Sequence, residues 1–344
     1  MVLTAPVALM GALAVGVGFA AQALFSPTPQ VGDRQLLETL IAAPSASSTP
    51  AEGARSGTSA PAAAGQPPGG VGARAGAATP SSPVPAPASS TSPPAGTTSA
   101  LAVPAAGPEL PLEIRVALLK LSPWPRLGAN GPWRLRDRDG RVLQQGTAGQ
   151  AVEVGDALGR SAELWLETGA GQNLTADGRS FEGRFRLLRG DGGLRVVNHL
   201  PLESYISSVV GGEMPSHWNR EALRAQAVAA RSYAMAHMAR PADDHWHLGD
   251  TTRWQNYTGL AGVTARTREA TASTAGVILS YRGGIVESLY AATQQIVDEA
   301  HGHLGASMSQ TGAQDLAERG LRFNEILGRY YRGASLARLQ AGAG

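Results

Sequence analysis

The 344-residue sequence predicts an α+β fold in which a β-rich part is followed by a helical and mixed part. Residues 111–200 hold short runs that alternate apolar and polar side chains between Asp-Gly turns, the pattern of half-buried strands. From Pro201 onward the apolar spacing changes to three and four residues, the period of a helix. A third feature sets the limits of the fold. From about Pro27 to Pro108 the chain is mostly Ala, Pro, Ser, Gly and Thr, and between Arg55 and Glu109 its only charge is Arg74. Such a stretch has too few large apolar side chains to offset the entropy of ordering it.

Taken in order, residues 1–26 are expected to form a signal peptide or membrane anchor. Val2 to Phe25 carries no charged side chain, and a run of about 24 residues is long enough to span a bilayer as a helix. Ala21-Gln22-Ala23 also offers a small-x-small cleavage pattern. The first arginine is Arg34, beyond the segment, so flanking charge does not set an orientation. Export to the cell envelope is expected in either case, with membrane contact only through this segment. Residues 27–108 then read as a disordered tether, semi-extended where prolines cluster and flexible where Gly and Ser dominate. Roughly 235 residues (109–344) remain, enough for a sizeable core.

Within 109–200, Leu112–Leu119, Ala162–Glu167 and Phe181–Leu187 read as strands. Asp137-Arg138-Asp139-Gly140-Arg141 and Arg189-Gly190-Asp191-Gly192-Gly193 read as hairpin turns. Within 201–335, a helix is predicted from Pro201 to Val210 with stripe Leu202, Tyr205, Ile206 and Val209, ended by Gly211. A second runs from about Asn219 to Arg240, with inner face Leu223, Ala227, Ala230, Ala234 and Met238. Short strands at 276–281 and 285–291 and helices near 310–319 and 323–331 complete the chain.

Composition excludes several chemistries. There is no cysteine, so disulfides, thiolate nucleophiles and cysteine zinc sites are absent. The net charge is +2, with one lysine (Lys120) and no Arg/Lys run longer than two, which does not make the basic face a nucleic acid needs. His245-Trp246-His247 and His301-Gly302-His303 lack helical ligand spacing. No metal or other cofactor is expected.

Three ordered blocks carry a resemblance. They are Gly212-Glu213-Met214-Pro215 with Glu221-Ala222-Leu223-Arg224-Ala225-Gln226-Ala227-Val228-Ala229-Ala230-Arg231-Ser232-Tyr233-Ala234; Asp250-Thr251-Thr252-Arg253-Trp254-Gln255-Asn256-Tyr257; and Met308-Ser309-Gln310-Thr311-Gly312-Ala313 with Ala317, Gly320, Ile326-Leu327 and Tyr330-Tyr331. Over roughly 190–335 the chain resembles the sporulation stage II protein D family, whose domain LytB-type amidase enhancers share (SpoIID/LytB). The resemblance implies a peptidoglycan lytic transglycosylase. Such an enzyme cleaves the MurNAc–GlcNAc bond of peptide-stripped glycan and leaves 1,6-anhydro-MurNAc ends. The family's catalytic glutamate, the one before Met-Pro, maps onto Glu213. The implied partners are peptidoglycan glycan strands and, for an enhancer, an N-acetylmuramoyl-L-alanine amidase.

One carboxylate can serve that reaction, because the sugar's own 6-hydroxyl replaces the nucleophile of an ordinary glycosidase. The carboxyl must then be protonated beforehand, which an apolar wall such as Val209, Val210, Met214 and Trp218 would favour and a following helix N-terminus would oppose. The alternative is a helix-entry residue answering that dipole. Arg231 is the candidate partner for Glu213 or for a muramic lactyl carboxylate, or else a structural ion pair. Gln226, Ser309, Gln310 and Asp250 are candidate partners for substrate, with Trp218, Trp246, Trp254 and Tyr257 as stacking candidates; the bland reading of each is packing.

Two departures from the family pattern stand out. Gly249, Arg253 and Trp254 occupy positions where some members place zinc ligands. Residues 294–307 are short where the family carries a long insertion, so a non-catalytic glycan-binding amidase regulator is the alternative to an enzyme.

Overall fold

The computed structural model describes residues 100–340, apart from 109 and 302–305. The expected leader or anchor and all but the end of the tether lie outside the described residues, as does His303. Among the described residues no helix is long and apolar enough to cross a membrane.

The first half is built from β1 (Glu113–Ala117), β2 (Leu127–Ala129), β3 (Trp133–Asp137), β4 (Val142–Gly146), the short helix α1 (Gly155–Arg160), β5 (Glu163–Thr168), β6 (Leu174–Ala176), β7 (Arg179–Phe181), β8 (Arg184–Gly190) and β9 (Gly193–Pro201). Alternation decides the faces. Leu164 and Leu166 of β5, Phe185 and Leu187 of β8 and Leu135 of β3 are wholly buried, while their neighbours in sequence are more exposed. The hairpin turns form where Asp-Gly chemistry places them. Gly140 and Gly192 take the left-handed backbone the turns require, and Asp137 Oδ1 accepts the N–H groups of Asp139 and Arg141.

The second half comprises α2 (Leu202–Glu213), α3 (Arg220–Ala239), β10 (Leu248–Gly249), α4 (Ala265–Ala272), β11 (Val277–Tyr281), β12 (Gly284–Ile285), β13 (Leu289–Ala291), β14 (Ser307–Ser309), α5 (Gln310–Glu318), α6 (Phe323–Tyr330) and β15 (Ser335–Arg338). The α+β class is observed. The main sheet runs β10-β1-β9-β8-β5-β3-β4, antiparallel except where β10 joins β1 in parallel. That parallel pair sets Ala117 opposite Gly249. It therefore carries the residues after β1 alongside those after β10, two segments far apart in sequence.

Helix α3 differs from its expected amphipathic form. With the exception of Arg224, every residue from Ala222 to Ala236 is buried, and α2, α4, α5, α6 and β11 pack around it. Alanines let neighbours approach the helix from all sides, so no face is left for solvent. Met238, placed on the inner face by spacing, is only half-buried beyond this core.

Composition alone assigns residues up to 108 to the tether, but residues 100–108 run along the domain. The Leu101 N–H donates to the Asn324 carbonyl at 3.3 Å and Asn324 Nδ2 to the Leu101 carbonyl at 2.8 Å. Arg338 Nε donates to the Ala105 carbonyl at 2.6 Å. Leu101 packs against the core, and backbone polar groups met by folded partners hold the rest of this segment.

Candidate active site

The site is assembled around the end of α2. Spacing predicts that Gly211 stops this helix, yet it continues through Gly211 and Gly212 to Glu213, and the chain turns extended at Met214. The glycines serve a close approach instead. A Cβ on Gly211 would collide with the Gly262 carbonyl oxygen, and one on Gly212 with that of Asn256. The 256–262 segment thus crosses the helix end at backbone contact, and Ser208 Oγ donates to the Gly259 carbonyl at 2.6 Å.

Glu213 is consequently the last helical residue, half-buried, with its carboxylate met by groups from three other segments. The Asn256 N–H donates to Oε1 at 2.8 Å, and the Gln310 side chain from the start of α5 also bonds the carboxyl. Asn256 Nδ2 closes the contact by donating to the Gly212 carbonyl at 2.6 Å. Around the carboxyl stand Tyr205, Tyr233 and Tyr290, all buried, and burial holds each phenol protonated. Tyr205 donates to Gln255 Oε1 at 2.8 Å, and Gln255 Nε2 bonds the Tyr290 hydroxyl at 2.8 Å.

Burial pushes the Glu213 carboxyl above the usual carboxylate range. The Asn256 N–H, the Gln310 side chain and the charge of Lys120 pull the other way without cancelling it. Although Glu213 keeps an accessible edge, its surround is dense, which is how a residue can be reachable and still desolvated. Its position at a helix C-terminus disfavours the anion further, while α3 begins only at Arg220 and has its own cap in Asn219. A protonated carboxyl open on one side can donate a proton and later take one back.

Lys120 reaches this carboxyl from the β-rich half. Its Nζ donates to Asn256 Oδ1 at 3.1 Å. Asp250 fixes the backbone beneath it, with Oδ1 accepting the N–H groups of Leu119 at 2.8 Å and Lys120 at 3.2 Å and Oδ2 paired with Arg179 Nη1 at 3.2 Å. Leu119 and Trp254 lie over Gly249, where a Cβ would meet both side chains, and the Arg253 guanidinium stacks 5.0 Å from the Trp254 ring.

Several sequence candidates are corrected by this geometry. Arg231 has no exposed surface and faces away to Glu203, with Nε and Nη2 on its two carboxylate oxygens and the carbonyls of Ala227, Val277 and Thr271 taking its remaining donors. Asp250 is fully buried and its oxygens are spent on the clamp just described. Tyr257 is core: its hydroxyl donates to Asn198 Oδ1 at 2.7 Å, so it offers no ring to a sugar. Gln226 is fully buried inside α3. Ser309 caps α5 by accepting the Gly312 N–H at 3.0 Å. Trp218 is half-buried in the α2–α3 link, and Arg266 bonds its carbonyl. Trp246 sits elsewhere, under Arg195. Val209 and Val210 are core, and the phenols of Tyr205, Tyr233 and Tyr290 lie close enough to feel the Glu213 charge. Of the residues proposed, Glu213 and Gln310 are brought together.

Residues 190–281 match the family model of the stage II sporulation protein, SpoIID. Over this span the chain is similar to the SpoIID/LytB family. Stage II sporulation protein D of Bacillus subtilis is 35% identical over 112 residues, covering 28% of this chain and 33% of that protein. The amidase enhancer of Bacillus subtilis is 31% identical over 102 residues, 30% of this chain and 14% of that protein. An uncharacterized protein of Brachyspira hyodysenteriae is 33% identical over 120 residues, 35% of this chain and 33% of that protein. The chain therefore spans a third or less of the curated relatives it matches. The SpoIID match contains Glu213 and Asn256 but neither Lys120 nor Gln310, which join the site through the fold. Sequence reading missed Asn256 and Lys120. The signal for Lys120 was its being the only lysine in a chain otherwise charged by arginine.

Proposed function

We propose that this SpoIID domain is a lytic transglycosylase in which Glu213 is the sole acid and base. The observation that supports it is a half-buried carboxyl with a raised pKa at a helix C-terminus, while Asp250, the carboxylate that clamps the Lys120 backbone, is buried and spent on its own bonds. Protonated Glu213 gives its proton to the glycosidic oxygen as the bond from the muramic C1 breaks. The muramic 6-hydroxyl then closes onto C1 and returns its proton to the carboxylate. No water is consumed, and the product carries a 1,6-anhydro end. Similarity to that family supports a role at the cell wall, and the same reading makes the chain an exported protein acting on glycan strands.

A second reading has its own support, the similarity to a protein named amidase enhancer together with the short connection between β13 and β14. On that reading the domain binds glycan and stimulates an N-acetylmuramoyl-L-alanine amidase without cleaving. Mass analysis of peptide-stripped glycan incubated with the purified protein separates them. Anhydro-muramyl ends that disappear in Glu213→Gln support the enzyme. Reducing ends would mean that water is the nucleophile and would sink the one-carboxylate mechanism. Intact glycan with stimulation of an added amidase would move the function to the regulator.

A further inference from the structure

The geometry points to Lys120 as the residue that recognises a free carboxylate on the glycan, the lactyl carboxylate each muramic acid exposes once its peptide has been removed; this rests on the reading above that the site takes glycan strands. The sequence candidate for that role, Arg231, is excluded by its burial and its pairing with Glu203. Lys120 is exposed at the edge of the same site. Its ammonium makes one hydrogen bond, to Asn256, and among the described residues it joins no ion pair. An ammonium has three donors, so two remain for a ligand.

The side chain is also held in place for such a task. Two successive backbone N–H groups, of Leu119 and Lys120, are clamped by the fully buried Asp250, and Arg179 locks the other carboxylate oxygen. Asn256 ties Lys120 to Glu213, because its side chain accepts from the lysine while its backbone N–H donates to the glutamate. A group on Lys120 is therefore separated from the Glu213 carboxyl by one shared residue, Asn256. Beside it, Leu119 (39% exposed) and the half-buried Trp254 offer an apolar ledge on which a pyranose ring can lie.

The charge state of the site fits the same ligand. When Glu213 carries the proton that the reaction needs, it does not neutralise Lys120, and the open edge is cationic. In glycan that keeps its peptides the lactyl group is an amide without charge, whereas peptide removal leaves an anion. One ammonium at this edge would then favour stripped glycan by about tenfold, the size of a charge-assisted hydrogen bond.

The test compares two preparations of one peptide-stripped glycan, one with free lactyl carboxylates and one with the same groups converted to methylamides. Binding of the full chain is measured together with product release. Wild type is expected to bind the free form about tenfold tighter, with the difference shrinking at high salt. Lys120→Met should bind both forms equally, and Lys120→Arg should restore the preference, with melting curves showing each variant folded. A preference that survives in Lys120→Met, that vanishes in Arg253→Gln instead, or that is missing in wild type overturns the assignment. Cleavage is read separately. A Lys120-dependent preference without anhydro products sinks the transglycosylase and keeps this inference, while equal cleavage and binding of both forms does the reverse.

Discussion

Oε1 of Glu213 accepts the backbone N–H of Asn256 at 2.8 Å, joining residues 43 apart in sequence. The donor is backbone, so no side-chain change at position 256 removes it directly. It is held by the packing of the 256–262 segment on the end of α2, which the two glycines of that helix permit.

Gly212→Ala is therefore expected to destabilise the fold. Helix propensity alone favours alanine over glycine by about 1 kcal/mol. The new Cβ, however, would meet the Asn256 carbonyl oxygen, and displacing backbone costs about 1–3 kcal/mol. Urea unfolding of the variant decides the sign. A gain in stability would show that the segment does not press on the helix as described.

The raised pKa of Glu213 makes a joint statement about pH and stability. The folded state binds this proton more tightly than the unfolded one, so the group favours folding at low pH. It costs stability once the pH has risen through the folded pKa. Glu213→Gln should then be more stable than wild type at neutral pH, by about 0.5–2 kcal/mol. The advantage should fade as the pH drops below the raised pKa toward the ordinary value of 4.5. Turnover, if Glu213 is the acid, should decline as pH rises through the same raised value. Melting curves across pH and a kcat/KM profile check both. A Gln variant less stable than wild type at neutral pH would contradict the burial account.

Breaking the Arg231–Glu203 pair should cost about 3–5 kcal/mol, since Arg231→Met leaves Glu203 without its partner beneath the surface. Glycan affinity per folded molecule should hardly move. A variant that folds at wild-type stability but loses affinity would return Arg231 to the substrate site.

Tyr257→Phe deletes one buried hydrogen bond, to Asn198. The expected loss is about 1 kcal/mol of stability with unchanged glycan binding. Weakened binding without destabilisation would mean the ring meets sugar after all.

What the sequence determined by itself is local or ordered along the chain. The helices around α2 and α3 and the Asp-Gly hairpins could be read from spacing and turn chemistry, and resemblance singled out Glu213 before Met214-Pro215 as the candidate. Tertiary structure decided who meets whom. Arg231 sits on a helix whose every side is covered, so its partner was fixed by the packing of α2 and not by its own stripe. The extension of α2 to Glu213 depended on the backbone that crosses its glycines, whereas local rules read a glycine there as a stop. Lys120 came to the site because β1 and β10 pair in parallel with Ala117 opposite Gly249. Strand register is a long-range choice made by the whole sheet, and it brought Lys120 within 3.1 Å of a residue 136 positions away.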